Sequence, residues 1–145
     1  MENTPKLVKI FSFLGLVPVL FGVLGSFEFS FIPDLINNAL INFSLIYAAL
    51  ILSFLGGVLF GFKVTKVKNP KFWPLFFSFL PTFWALFALQ LPVFKASALA
   101  IGFLIAYELD RKFFKERLPP NWWLSLRLPL TAIMVLLLIV MGFNV

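Results

Sequence analysis

The chain has 145 residues, of which 61% are hydrophobic and only 12% are charged, and its formal net charge is +6 at pH 7. Because soluble domains are typically about 45–50% apolar and about 25% charged, this composition excludes an ordinary water-soluble domain and predicts a membrane protein. The chain has no Cys and no His, which excludes disulfides, thiolate nucleophiles and the usual nitrogen or sulfur ligands of metals and haem. We therefore expect no cofactor and no metal.

Five apolar segments are each long enough to cross a bilayer, which requires about 20 mostly apolar residues per helix. Pro18 lies inside the first segment and Pro81 near the middle of the third, and each predicts a kink. Pro33 and Asp34 are typical of a first helical turn, so the second helix is allowed an earlier start. The sequence predicts an all-α fold, a single transmembrane domain over 1–145 built as a bundle of five transmembrane helices, with spans at about 7–25, 39–62, 72–91, 93–109 and 122–143.

The basic residues predict the orientation of the bundle, because cytoplasmic loops of membrane proteins are enriched in Lys and Arg. With five spans, all of the 12 Lys and Arg residues except Lys95 fall on one side. We therefore expect the N-terminus in the cytoplasm and the C-terminus outside, in the bacterial inner membrane or, alternatively, the mitochondrial inner membrane. This placement assigns the basic charge to one membrane face and argues against binding of nucleic acid.

Small residues recur along one side of the second predicted helix, in the stretch YAALILSFLGGVLFG at 47–61. Close backbone approach holds helices together in lipid, so this row predicts a contact between helices. A matching row on the fourth predicted helix indicates that the two helices cross closely, and we expect Gly57→Leu to destabilise the protein. Homodimerisation through the same row is the alternative. The expected helix-packing residues are Ser53, Gly56, Gly57 and Gly61 on the second helix and Ala98, Gly102 and Ala106 on the fourth.

Charged side chains gather around the connection between the fourth and fifth predicted helices. Arg127 lies one turn into the fifth helix, where we expect it to reach the headgroups or to pair with Asp110 or Glu108. One interpretation is an enzyme that acts on lipid headgroups through Tyr107 and these three residues, since paired carboxylates serve as acid and base. The ordinary interpretation is a set of solvated ion pairs and lipid phosphate contacts. The expected interfacial charge cluster is Glu108, Asp110, Arg111 and Arg127.

The connection between the second and third predicted helices carries the basic stretch KVTKVKNPK at 63–71. Each Lys near an anionic membrane surface contributes about 1 kcal/mol of attraction, which predicts a loop facing anionic headgroups on the cytoplasmic side. The expected partners are therefore membrane lipids, with other inner-membrane subunits or a homo-oligomer as candidate protein partners. The residues of this lipid-facing basic loop are Lys63, Lys66, Lys68 and Lys71.

No Asp, Glu, Lys or Arg lies in the middle of any predicted span. Ion pumps and proton relays usually carry ionisable groups at that depth, so the sequence weighs against proton-coupled transport. Passage of a neutral or lipidic solute stays open. A polar cavity that reaches the middle of the membrane and is lined by Asn42, Ser53 and Thr131 would favour it.

Two stretches carry a resemblance to a known family, YAALILSFLGG at 47–57 and LPPNWWLSLRLPLT at 118–131. They resemble the signatures of a bacterial and mitochondrial integral membrane family of unknown function, numbered 3429 among such domains, which includes transmembrane protein 69. The resemblance implies the five-helix plan over most of the chain and no established activity. Members of that family often have His or Arg followed by Trp where this chain has Leu59 and Phe60, so no function of that basic side chain is implied here.

Three hypotheses about function follow. The leading one is a small integral inner-membrane protein without catalytic residues, acting as an accessory or scaffold component of a membrane assembly. It rests on the missing catalytic residue types, the small extramembrane mass and the packing rows. A carrier or channel for a lipidic or neutral solute is one alternative, and an enzyme acting on lipid headgroups is the other.

Overall fold

A computed structural model of the chain describes residues 4–144, which form six α-helices and contain no β-strand. The prediction of an all-α fold is confirmed. The second predicted helix starts at Asp34, directly after Pro33, which is the earlier of the two expected starts. The helices are α1 (Lys6–Leu14), α2 (Val17–Ser26), α3 (Asp34–Lys66), α4 (Phe72–Gln90), α5 (Lys95–Lys115) and α6 (Trp123–Asn144).

The first predicted helix is divided into α1 and α2 by a break at Gly15 and Leu16. Pro18 lacks a backbone N–H and its ring crowds the preceding turn, which explains why the break lies just before it. The Tyr47 hydroxyl of α3 donates to the Gly15 carbonyl at 2.8 Å, and the Ser44 hydroxyl of α3 donates to the Pro18 carbonyl at 3.0 Å. Because lipid offers no hydrogen bonds, side chains of α3 satisfy carbonyls at and just beyond the break. In α4, by contrast, the helix continues unbroken through Pro81.

The centre of the bundle is α3, which packs against α2, α4 and α5, while α6 packs against α5 and α2. The core between them contains fully buried apolar side chains, such as Leu52 of α3 and Phe103 of α5. The outer faces of the helices also carry large apolar side chains, which is typical of a surface that contacts lipid. Examples of these side chains, each more than half exposed, are Leu50, Phe54, Phe83, Leu86 and Leu136.

Within residues 4–144, four helical stretches are long and apolar enough to cross a membrane. Charged residues occupy both ends of α5, which contains the fourth predicted span, and its apolar part is therefore shorter. α5 nevertheless lies antiparallel to α6 along its length. Gly142 near the end of α6 lies against Ser97 of α5, and Asp110 of α5 bonds to Arg127 near the start of α6. The four apolar stretches are Lys6–Ser26, Asp34–Lys66, Phe72–Gln90 and Trp123–Asn144.

A Schellman-type turn ends α5 and directs the chain back along the bundle. Arg117 has a left-handed φ of 58°, and its N–H donates to the Phe114 carbonyl at 2.9 Å. The N–H of Leu118 donates to the Phe113 carbonyl at 3.2 Å, and the side chains of these two residues belong to one small apolar cluster. The turn fixes where α6 begins, and so places the first turns of α6 beside Asp110 of α5.

Candidate functional site

Asp110 of α5 and Arg127 of α6 form a buried ion pair. Nε of Arg127 donates to Oδ2 of Asp110 at 2.8 Å, and the side chains are only 6% and 1% exposed, respectively. Nε1 of Trp123 donates to Oδ1 of Asp110 at 3.2 Å. Both carboxylate oxygens of Asp110 therefore accept a hydrogen bond, and the charges of the pair cancel inside the protein.

The other two residues of the expected charge cluster lie apart from this pair. Arg111 and Glu108 pair with each other at 2.6 Å on the outside of α5, where their side chains are 47% and 58% exposed. Glu108 therefore does not converge with Asp110 and Arg127 on one site. An enzyme acting on headgroups through these carboxylates would need that convergence, and the geometry gives it no support.

A cleft of about 520 Å³ lies beside the buried pair, between α1, α3 and α6. None of the nine residues of α1 is buried, so this helix borders the cleft without packing tightly against the bundle. The side chains at its edge include Phe11 of α1 and Phe54 of α3, which are 70% and 64% exposed. The polar side chains of the lining are Ser12, Arg127 and Thr131, and the apolar lining includes Ile51, Phe103, Trp123, Leu130 and Met134.

Two buried polar atoms on this lining have no hydrogen-bond partner within residues 4–144. They are Nη2 of Arg127 and Oγ1 of Thr131. A buried polar group without a partner costs about 1–3 kcal/mol, and more if it is charged. Both side chains line the cleft, so their donors are polar groups close to the space that a bound molecule would occupy.

Asn42, Ser53 and Thr131 do not together line the polar cavity that would favour transport. Thr131 lines the cleft, but Ser53 forms a hydrogen bond with Thr82 of α4 at 3.0 Å, and Asn42 is exposed. Arg127, which was expected to reach the headgroups or to pair with Asp110 or Glu108, pairs with Asp110 and also lines the cleft. The cleft lies beside the break between α1 and α2, close to Pro18, where the sequence predicts a kink.

The small residues expected on α5 are buried in the bundle. Ala98, Gly102 and Ala106 all face the core. A Cβ atom on Gly102 would lie 2.5 Å from Cδ1 of Trp84 in α4 and 2.6 Å from Cδ2 of Leu52 in α3. Gly102 therefore allows α5 to approach both of the helices next to it.

On α3, the close contact is made by Gly56 and not by Gly57 or Gly61. A Cβ atom on Gly56 would collide with the backbone carbonyl of Ser78 in α4, whereas one on Gly57 or Gly61 would meet nothing within 4 Å. Neighbouring helical residues point about 100° apart, so Gly56 and Gly57 belong to different faces. The expectation that Gly57→Leu destabilises a contact inside the bundle is corrected accordingly.

Lys63 also differs from its expected place in a lipid-facing loop. It lies in the last turn of α3, is buried, and pairs with Oε2 of Glu116 at 2.9 Å. Its Nζ atom lies 5.8 Å from the centre of the Phe113 ring, a distance compatible with a cation–π contact. Lys63 therefore connects the end of α3 to the end of α5. The other basic residues of this stretch, Lys66, Lys68 and Lys71, are exposed.

The fold defines the class of small all-α proteins with membrane-type helices. Its features are long apolar helices, an outer surface of large apolar side chains and an ion pair buried between two helices. The chain belongs to the family described as protein of unknown function DUF3429, whose family model matches residues 4–143. This match confirms the resemblance seen in the two sequence motifs. No curated protein and no solved structure gives a significant match to the chain.

Proposed function

We propose that this chain is a five-span integral membrane protein that binds a lipidic ligand, taken from the bilayer, in the cleft between α1, α3 and α6. The observation that carries the proposal is the combination of an apolar cavity of about 520 Å³ with buried polar atoms of Arg127 and Thr131 that lack partners in residues 4–144. Ligand sites typically measure about 300–1,000 Å³ and are mostly apolar, with a few polar groups that orient the ligand.

The edge of the cleft supports entry of the ligand from lipid. Leu7 and Phe11 of α1 and Phe54 of α3 lie at this edge, and each is more than 60% exposed. A hydrophobic molecule that enters between α1 and α3 keeps its tail in an apolar medium throughout, so entry requires no passage through water. A carrier or a binding protein for a lipidic solute is the role that fits such an opening.

The contacts at one end of the bundle support five spans with one basic face. The Lys63–Glu116 pair and the edge-to-face rings of Phe62 and Trp123, 5.2 Å apart, bring together the ends of α3 and α5 and the start of α6. Because α5 lies antiparallel beside α6, it crosses the same thickness as that helix. We place the N-terminus in the cytoplasm and the C-terminus outside, in a bacterial inner membrane.

Cysteine labelling tests this topology cleanly, since the chain has no Cys of its own. Lys66→Cys and Arg117→Cys are expected to react with a membrane-impermeant maleimide only when the inner face is accessible, because both sites lie on the basic face. Lys95→Cys is the matched control and is expected to react only from the outer face. Reaction of positions 66 and 117 from opposite faces would contradict the five-span arrangement.

Filling the cleft tests the proposed ligand site. Ser12→Trp introduces a large side chain into the lining, and we expect it to reduce labelling of the cleft by a diazirine-bearing fatty alcohol at least fivefold. The full chain is placed in phosphatidylcholine vesicles with the probe and illuminated, and the labelled residues are mapped by mass spectrometry. In the unmodified chain we expect label to concentrate on buried cleft residues such as Leu130 and Met134.

Ser125→Trp is the matched control, because Ser125 is exposed on α6 near Arg127 and does not line the cleft. It is expected to leave the labelling pattern unchanged. Label spread evenly over outward-facing side chains such as Phe83 and Leu86, with no change in Ser12→Trp, would overturn the proposed ligand site.

An accessory or scaffold role is the second candidate. Gly57 and Gly61 have no atom of residues 4–144 within 4 Å of an added Cβ, so this part of the small-residue row is accessible to a helix of another subunit or copy. A protein partner that remains bound to the chain after extraction in mild detergent would favour this role.

A further inference from the structure

We propose that the ligand of the cleft is an uncharged lipid whose head is a flat ring bearing carbonyl oxygens, the chemistry of a lipidic quinone. This inference rests on the proposed function of the cleft as a lipid site and goes on to name the class of ligand. It follows from the charge, the hydrogen-bonding groups and the shape of the lining.

The charge of the site favours an uncharged head. Arg127 is already paired with Asp110, both side chains are more than nine-tenths buried, and the pair carries no net charge. An anionic head beside Arg127 would lose its hydration and also face the carboxylate of Asp110, which is unfavourable at this depth. A neutral carbonyl oxygen accepts a hydrogen bond from a guanidinium without either penalty.

The hydrogen-bonding groups of the site favour an acceptor on the ligand. Arg127 offers only N–H donors, and the Thr131 hydroxyl is able to donate. The carboxylate of Asp110, which accepts from Arg127 and Trp123, does not line the cleft and is therefore not an acceptor for a donor on the ligand. A carbonyl oxygen, which only accepts, matches this set better than an ammonium group, which only donates.

The lining favours a planar ring with a flexible tail. Phe11, Phe54, Phe103 and Trp123 contribute aromatic rings to the cleft, and aromatic faces and edges pack well against a flat conjugated ring. The exposed side chains at the edge leave a route along which an isoprenoid or alkyl tail extends into lipid.

Competing lipid probes test the inference. The full chain in phosphatidylcholine vesicles is titrated with a decyl-substituted benzoquinone, with dioleoylglycerol, which carries ester carbonyls but no ring, and with oleate, which is anionic. Binding is followed by calorimetry and by the quenching of Trp123 fluorescence, with Trp123→Phe as the reference for quenching at other tryptophans. We expect the quinone to bind at least tenfold more tightly than either other lipid.

Two conservative variants test the proposed contacts. Thr131→Val keeps the side-chain shape and removes the hydroxyl, while Arg127→Lys keeps the charge opposite Asp110 and removes Nη2. Each is expected to weaken binding of the quinone roughly threefold to tenfold, the range for loss of one hydrogen bond. Thr82→Val and Arg111→Lys are the matched controls away from the cleft and are expected to bind the quinone like the unmodified chain.

The outcomes separate this inference from the proposed function. Tighter binding of oleate than of the quinone shows an anion site and overturns the inference, while the cleft remains a lipid site. Tighter binding of dioleoylglycerol than of the quinone overturns the inference that the head is a flat ring, while the cleft again remains a lipid site. Equal affinity of the quinone for the unmodified chain and both variants also overturns it. If none of the three lipids binds and Ser12→Trp does not change labelling of the cleft, both the inference and the proposed function fall.

Discussion

Removing one member of the Asp110–Arg127 pair is expected to destabilise the protein by about 3–5 kcal/mol. Arg127→Ala leaves the carboxylate of Asp110 buried, with Trp123 as its remaining donor, and an unpaired buried charge is far more costly than a missing pair. The double variant Asp110→Leu with Arg127→Met replaces both charges by apolar groups of similar size, and we expect it to recover most of the lost stability. Unfolding of the purified chain in detergent, without added lipid, measures all three proteins.

The exposed pair on the same helix provides the control. Glu108→Ala and Arg111→Ala remove an ion pair whose side chains are about half exposed, and such pairs contribute roughly 0–1 kcal/mol. If Arg127→Ala unfolds like the unmodified chain, or if the double variant is no more stable than the single one, the buried ion pair does not carry the energy assigned to it.

Gly56→Leu is expected to lower the stability of the protein by more than the penalty of about 1–3 kcal/mol that is usual for an overpacked core. The reason is that the new side-chain atoms meet a backbone carbonyl. A Cβ atom at position 56 collides with the Ser78 carbonyl of α4, and a backbone cannot turn away as a side chain does. At Gly57 the same substitution adds atoms where nothing lies within 4 Å, and we expect a change within about 0.5 kcal/mol. The two variants differ by one position and carry the same new side chain.

Thermal unfolding in detergent, compared with the amount of folded protein recovered from membranes, measures this pair of variants. A loss at position 57 equal to that at position 56 would mean that the crossing of α3 and α4 uses a different face from the one described. Gly56→Ala provides a smaller version of the test, since its single methyl group already occupies the colliding position.

The helices were predictable because their signals are local and long. Long runs of apolar residues identify candidate membrane-spanning helices from sequence alone, and Pro33 with Asp34 marks the start of α3. The break between α1 and α2 was not predictable in detail. Pro18 raised the expectation of a kink. The hydroxyls that bond to carbonyls at the break belong to Tyr47 and Ser44, which follow far along the chain, and no local sequence pattern predicts these contacts.

The site was only partly predictable, because small changes in helix phase and length decide which side chains meet. Gly56 and Gly57 are equally small, so the row alone does not say which of them faces α4. Because α5 continues as a helix to Lys115, Glu108 and Asp110 point about 200° apart, one outward and one into the bundle. The charged residues expected in one cluster therefore form one exposed pair, Glu108 with Arg111, and one buried pair, Asp110 with Arg127.

The loose attachment of α1 bears on how the proposed ligand would enter the cleft. None of the residues of α1 is buried and only Phe13 packs against the core, so displacement of α1 exposes less of the core than opening α3, α5 or α6. The discontinuity at Gly15 and Leu16 supplies a pivot next to the cleft. Displacement of α1 about this pivot would open the cleft towards the bilayer, which is the path that the proposed lipid ligand requires, while the rest of the bundle stays folded.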